Sequence, residues 1–169
     1  MIFFLIGFMA SGKTTIGKIV ARKTGYDFID LDQLIELEKE KSVSQIFAEQ
    51  GEEAFRKLEN DYLKKLCSKD NTIVATGGGA PCFHNNMKMM NQAGKTIYLK
   101  FSPEKLKTRI QLSSQSTRPL VAGRSDEELL QFVRESLIKR EQYYNQAILV
   151  LEGNDTEIAK RIIEFVEKQ

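Results

Sequence analysis

Apolar and polar positions follow two periods along this chain. Ile2-Phe3-Phe4-Leu5-Ile6 is an unbroken apolar run with a glycine at its end, the pattern of a short strand buried on both faces. Residues 13–24 then carry Ile16, Ile19 and Val20 at helical spacing, closed by Gly25. The alternation continues. Phe28-Ile29 predicts a second strand ending at Asp30-Leu31-Asp32. Ile35, Ile46, Phe47, Phe55, Leu58, Tyr62 and Leu66 then mark helical segments broken near Ser42 and Gly51. A third strand at 72–75 stops at Gly77-Gly78-Gly79, and a helix from about 84 to 93 leads to a fourth at 96–99. Pro103 opens a helix that fades near Ile110. A helical pattern from about 126 to 146, a strand at 148–151 and an amphipathic helix from Asp155 complete the chain. Strands separated by helices imply a parallel sheet covered on both faces, because parallel neighbours need crossover connections. No repeat or linker interrupts residues 1–169, which read as one α/β domain.

Composition narrows the function. At 169 residues and 41% hydrophobic content the chain supports one core and one site. Its 25 basic and 23 acidic residues are intermixed, so no field suited to a nucleic-acid backbone is evident and anions must be held by locally placed groups. Cys67 and Cys82 lack metal-site or CxxC spacing, which suits a reduced, cytoplasmic protein. The apolar opening run has no basic residues before it and meets a glycine loop, so it reads as a buried strand rather than a targeting segment, and no later run reaches membrane length. The absence of a heptad pattern or long apolar surface leads us to expect a monomer.

The strongest chemical signal is Gly7-Phe8-Met9-Ala10-Ser11-Gly12-Lys13-Thr14, which fits G-x-x-x-x-G-K-[ST] between a predicted strand and a predicted helix. Glycines let the backbone curl so that its N–H groups meet phosphate oxygens at a helix N-terminus. Ala10, Ser11, Gly12, Lys13, Thr14 and Thr15 are therefore the candidate ATP contacts, with Lys13 reaching the outer phosphates and the Thr14 hydroxyl facing Mg²⁺. Asp30 and Asp32 fall at the C-terminal end of the second strand, where open α/β sheets bind ligands. One can serve the metal and the other an acceptor hydroxyl; equally, Asp32 can cap the next helix with Asp30 in the turn. The third strand runs into glycines rather than a terminal aspartate, so the metal-side carboxylate is assigned to Asp30. The polar stretch 113–118 has nothing to bury and reads as part of a mobile lid over about 111–124. His84 reads as a helix-start surface residue. Taken singly, Arg56 with Glu59 reads as a surface ion pair, and Arg118 and Arg140 as solvated cations.

Their order changes that reading. The G-x-x-x-S-G-K-T loop, Asp-Leu-Asp, Phe55-Arg56 with Glu59, Thr76-Gly77-Gly78-Gly79, Arg118-Pro119-Leu120 and Arg140 near a tyrosine pair together resemble the shikimate kinases over nearly the whole chain. The resemblance implies a three-layer P-loop kinase fold, similar to nucleoside monophosphate kinases. That fold has a five-stranded parallel sheet, a substrate-binding helical region over about 31–60 and a closing lid. It implies transfer of phosphate from ATP, with Mg²⁺, to the 3-hydroxyl of shikimate. Carried over by position, Asp32 partners the reacting diol and Arg56 and Arg140 clamp the carboxylate. Gly77, Gly78 and Gly79 offer backbone to the substrate, Glu59 holds Arg56, and Arg118 is the lid arginine. An adenine-stacking arginine falls on Arg109, nine residues before Arg118, a longer interval than the family pattern suggests; Asn154, just past the last strand, offers a second wall for the base. A gluconate-type kinase, or a nucleotide switch without turnover, would share the loop but need not keep both arginines with the glycine triplet.

Overall fold

The computed structural model describes residues 1–113 and 123–169. Its sheet has five strands in the order β2-β3-β1-β4-β5, and all four pairings are parallel. β1 (Ile2–Ile6) lies in the middle, every residue buried, with β3 (Thr72–Ala75) on one side and β4 (Lys95–Leu99) on the other. β2 (Asp27–Asp30) and β5 (Leu149–Leu151) form the edges. The continuous apolar run thus sits where both faces are covered.

β1 is followed by α1 (Lys13–Thr24), which leads toward β2. β3 is followed by α4 (Asn86–Ala93), which leads the opposite way to β4. Right-handed crossovers in opposite directions place α1 and α4 on opposite faces. α1 packs with α7 (Asp155–Val166), and α4 with α3 (Val43–Leu66). The strand order reverses between β1 and β3, and a crevice opens there at the carboxyl ends of the strands. α2 (Leu31–Lys39) and α3 follow β2 and wall that crevice, while α5 (Pro103–Leu112) packs against α6 (Asp126–Tyr144).

Several boundaries differ from the expected ones for local reasons. The helix expected from about 84 begins at Asn86, because His84 and Asn85 both take positive φ (49° and 57°); a 3₁₀ turn at Ala80–Cys82 precedes them. At Gly51 (φ 83°, ψ 171°) the backbone leaves helical geometry, so α3 is two helical segments meeting at a kink, which is the break expected near Gly51. α5 continues through Leu112, two residues into the stretch read as lid. α6 ends at Tyr144, earlier than expected. Among the described residues no helix is long and apolar enough to cross a membrane.

Candidate active site

The loops after β1 and β3 meet in the crevice. A methyl group on Gly78 would lie 3.3 Å from the Met9 amide nitrogen and 3.4 Å from the Gly7 carbonyl oxygen, so the glycine triplet rests on the phosphate loop. That loop curls through Ala10 (φ 61°) and Gly12 (φ 89°), both left-handed, a conformation that costs Gly12 little and Ala10, with its Cβ, more. Ser11 N–H donates to Phe8 O at 3.2 Å. Gly12 is the N-cap of α1 and supplies no capping side chain, which leaves the first N–H groups of the helix for an anion. The Lys13 ammonium is buried and lies back over the loop, donating to Gly7 O (2.9 Å) and Phe8 O (2.8 Å).

Thr14 Oγ1 donates to Asp30 Oδ2 at 2.6 Å. The other oxygen, Asp30 Oδ1, accepts from the Asp32 and Gln33 amides at 3.1 and 3.3 Å. Asp30 is therefore the cap of α2, and the capping role open to Asp32 does not fall to it. A hydroxyl and a carboxylate at the phosphate loop are hard oxygen donors that fit Mg²⁺, an ion that keeps waters and phosphate oxygens rather than taking a complete protein cage. No group of three or more His, Cys, Asp or Glu side chains among the described residues is placed to hold a metal.

Beside this loop lies a cavity of about 610 Å³ lined by Met9, Asp32, Glu36, Val43, Ser44, Phe47, Ala48, Phe55, Arg56, Glu59, Gly77, Gly78, Gly79 and Arg140. It brings together every acceptor contact read from the sequence. Arg56 comes from α3: Nη1 donates to Glu59 Oε2 (2.6 Å), while Nε and Nη2 donate to Glu52 Oε1 (3.2 and 3.1 Å). A guanidinium has five N–H donors, and these bonds engage three of them. Arg140 comes from α6 and lies over the Phe8 ring, 5.2 Å from its centroid. One helical turn on, the Tyr144 hydroxyl donates to Gly78 O, and its ring packs on Tyr98 with centroids 4.9 Å apart. That tether fixes α6, and with it Arg140, against the glycine triplet.

Two buried carboxylate oxygens in this cavity, Asp32 Oδ1 and Glu59 Oε1, have no hydrogen-bond partner among the described residues. Both approach Gly77, where a methyl group would meet them at 2.8 and 2.6 Å. Burial, reinforced by the charge of Asp30 and opposed by Lys13 and Arg56, pushes the Asp32 carboxyl up to about 6. Burial also raises Glu59, to about 7, against the opposing pull of Arg56. Gly79 has the counterpart role: a methyl there would lie 2.5 to 2.7 Å from the Arg56 guanidinium atoms. The triplet is required for close approach to charged side chains as much as for approach to a ligand.

The base side is built differently. Arg109 pairs with Asp155, lies over the Phe101 ring at 4.3 Å and would stand 3.3 Å from a methyl on Gly12. Asn154 caps α7 in a reciprocal box with Glu157, so its side chain supports the helix that also carries Asp155. Both therefore lie on the α7 side of the phosphate loop. Arg118 lies outside the described residues. Cys67 and Cys82 are unpaired. Sequence reasoning missed Met9, Glu36, Val43, Ser44, Phe47, Ala48 and Phe55 as cavity lining. Val43 and Phe47 stand at i, i+4 spacing on α3, a pattern that reads as ordinary core and distinguishes nothing.

A family description, "Shikimate kinase", matches residues 9–167. A shikimate kinase of Parabacteroides distasonis is 50% identical over 150 residues, covering 89% of this chain and 86% of that one. The crystal structure of shikimate kinase from Bacteroides thetaiotaomicron superposes with a TM-score of 0.92 at 40% identity, covering 99% of this chain and 98% of its own. The Acinetobacter baumannii enzyme in complex with shikimate superposes with a TM-score of 0.89 at 30% identity, covering 99% and 93%. A phosphate loop abutting a cavity with two arginines, an aspartate and a glycine triplet is thus found in a chain that belongs to the shikimate kinase family.

Proposed function

We propose that the chain transfers the γ-phosphate of ATP to the 3-hydroxyl of shikimate, giving shikimate 3-phosphate and ADP. The observation that carries this reading is the junction of the two halves. Met9 of the phosphate loop also lines the acceptor cavity, so a phosphate cradled by residues 10–15 faces a bound hydroxyl without crossing solvent.

Shikimate carries one carboxylate and three hydroxyls. Arg56 and Arg140 take the carboxylate, where planar guanidinium groups fix orientation. Asp32 accepts a hydrogen bond from the reacting diol, orienting the hydroxyl and receiving its proton as phosphate is transferred. The ring lies along Val43, Phe47 and Phe55. Lys13 leaves its loop carbonyls for the outer phosphates and stabilises the charge that develops on them. Thr14 and Asp30 hold Mg²⁺, which neutralises phosphate charge when bound. Arg118, in the segment 111–124, supplies a further cation, and Arg109 with Asn154 borders the adenine. Because only ionised Asp32 accepts the hydroxyl proton, kcat/KM falls as pH drops through about 6, the region to which burial has moved that carboxyl. The lack of a heptad pattern or long apolar run supports a monomer, which size-exclusion chromatography checks, and two cysteines without metal-site or CxxC spacing suit the reducing cytoplasm.

ADP release by the purified protein with MgATP, measured with shikimate, with gluconate and with no acceptor, tests the reading. Release dependent on shikimate supports it. Release with gluconate alone, or independent of acceptor, retains the phosphate loop and overturns the substrate.

A further inference from the structure

Phe83 is a large apolar side chain left 38% exposed, immediately before two residues in strained backbone. His84 and Asn85 both take positive φ, a conformation that costs non-glycine residues and persists only where the surroundings hold it. The surroundings here are specific. Asn60 Nδ2 donates to Asn86 Oδ1 at 2.7 Å, and Asn86 Nδ2 donates to Ala80 O at 2.8 Å. Both asparagines are buried. This chain of amides fastens both ends of segment 80–86 to α3, one residue beyond Glu59. Phe83 O also accepts from Asn86 N–H at 2.9 Å. The segment's strain and its buried amides have one geometric result: the Phe83 ring is set 4.8 Å from the Arg56 guanidinium carbon. Phe55 and Phe47 stand at 5.4 and 5.6 Å from the same atom.

We propose that Phe83 is a positioning residue for the acceptor site, completing an aromatic box with Phe47 and Phe55 that holds the Arg56 guanidinium ready for the substrate carboxylate. The inference rests on the reading of Arg56 as part of that clamp. Glu59 and Glu52 fix the edges of the guanidinium, and Gly79 limits where it can lie. The rings add attraction to the cation and remove freedom that binding would otherwise have to remove. Phe83 is the ring of the three that the acceptor cavity does not include among its lining, so it acts through Arg56 and not on the substrate.

The test compares Phe83→Ala, Phe83→Leu and Phe83→Tyr. Phe83→Ala should raise KM for shikimate about three- to tenfold, the range expected from a cation–π contact, with kcat and KM for ATP within about twofold. Phe83→Tyr should restore the wild-type KM, and Phe83→Leu should not. A second readout needs no acceptor: in the ligand-free protein the Arg56 Nε–H resonance should lose the Phe83 share of its ring-current shift in Phe83→Ala, leaving that of Phe47 and Phe55, and keep it in Phe83→Tyr. An Arg56 resonance unmoved by Phe83→Ala, or full rescue by leucine, would overturn the proposal. So would a parallel loss in kcat and ATP affinity, which marks general damage to the fold. If the wild type does not turn over shikimate, the substrate reading fails while the resonance still decides whether Phe83 positions Arg56.

Discussion

The phosphate loop and the acceptor cavity meet at Gly78 and Met9, yet they are built on opposite plans. The loop is one continuous stretch, 7–14, whose functional side chains are bonded at rest, Lys13 to its own carbonyls and Thr14 to Asp30, while the first N–H groups of α1 stay open for an anion. The cavity draws on α2, α3, the β3 loop and α6, and it holds two buried carboxylate oxygens without partners among the described residues. A nucleotide site can be assembled from local backbone geometry, because phosphate asks for N–H groups and a cation wherever they occur. An acceptor site must match one molecule, so tertiary structure has to bring together groups that no local rule connects.

The comparison breaks most severely at Lys13. Lys13→Met should lower kcat on the order of 10³-fold, as expected when a preorganised charge on the transferred phosphate is removed. Shikimate binding, read by calorimetry without nucleotide, should be retained. Loss of both would show that the two regions do not work independently.

Gly79→Ala attacks the other region. The added methyl would lie 2.5 to 2.7 Å from a guanidinium already bonded to Glu52 and Glu59, so Arg56 must leave one partner to make room. A displacement of that size should raise KM for shikimate on the order of 100-fold, with ATP affinity unchanged by fluorescence titration. An unaltered KM would mean that the clamp tolerates a shifted Arg56. Arg140→Ala removes a cation without a clash and should have a smaller effect. A charge-assisted hydrogen bond contributes roughly 1.5–3 kcal/mol, or about ten- to a hundredfold in KM for shikimate. Normal shikimate affinity in this variant removes Arg140 from the clamp.

The same contrast explains what the sequence made legible. The loop motif was readable because its parts are consecutive, and the five strands because each short apolar run ends in a turn residue. Asp32 was marked by its place at the carboxyl end of a strand, whereas Arg56 and Arg140 carry no signal singly and only their order along the chain separated them from surface charges. Three features had no local signal, although the resemblance put the last of them inside a substrate-binding region over about 31–60. The 3₁₀ turn at Ala80–Cys82 has no periodicity to read. The turn at His84 and Asn85 is held by Asn60 and Asn86, whose meeting depends on how α3 lies against α4. The apolar lining from Val43 to Phe55 has the same helical spacing that core residues have, and only the crevice at the strand-order reversal turns that face into a binding surface.

The smallest expected effect is on stability, and it arises from Glu59. Its carboxyl stands at about 7 in the folded protein against 4.5 ordinarily, because burial outweighs the ion pair with Arg56. Between those values the folded state keeps a proton that the unfolded chain has released, so the contribution is full below about pH 4.5 and gone once pH has risen past about 7. Asp32, raised by the same cause, acts in the same direction at lower pH. The exposed carboxyls of Glu104, Asp126 and Glu128 are lowered by their hydrogen-bond partners and act oppositely, so the informative quantity is a difference between variants. The ligand-free wild type should lose a few degrees more in Tm between pH 5 and pH 7.5 than Glu59→Gln does, at roughly 2–4 °C per kcal/mol for a domain of this size. Equal slopes would place the proton elsewhere. A steeper loss in Glu59→Gln would mean that the charge of Glu59, held by Arg56, supports the fold at neutral pH, and that the acceptor cavity is as well satisfied at rest as the phosphate loop beside it.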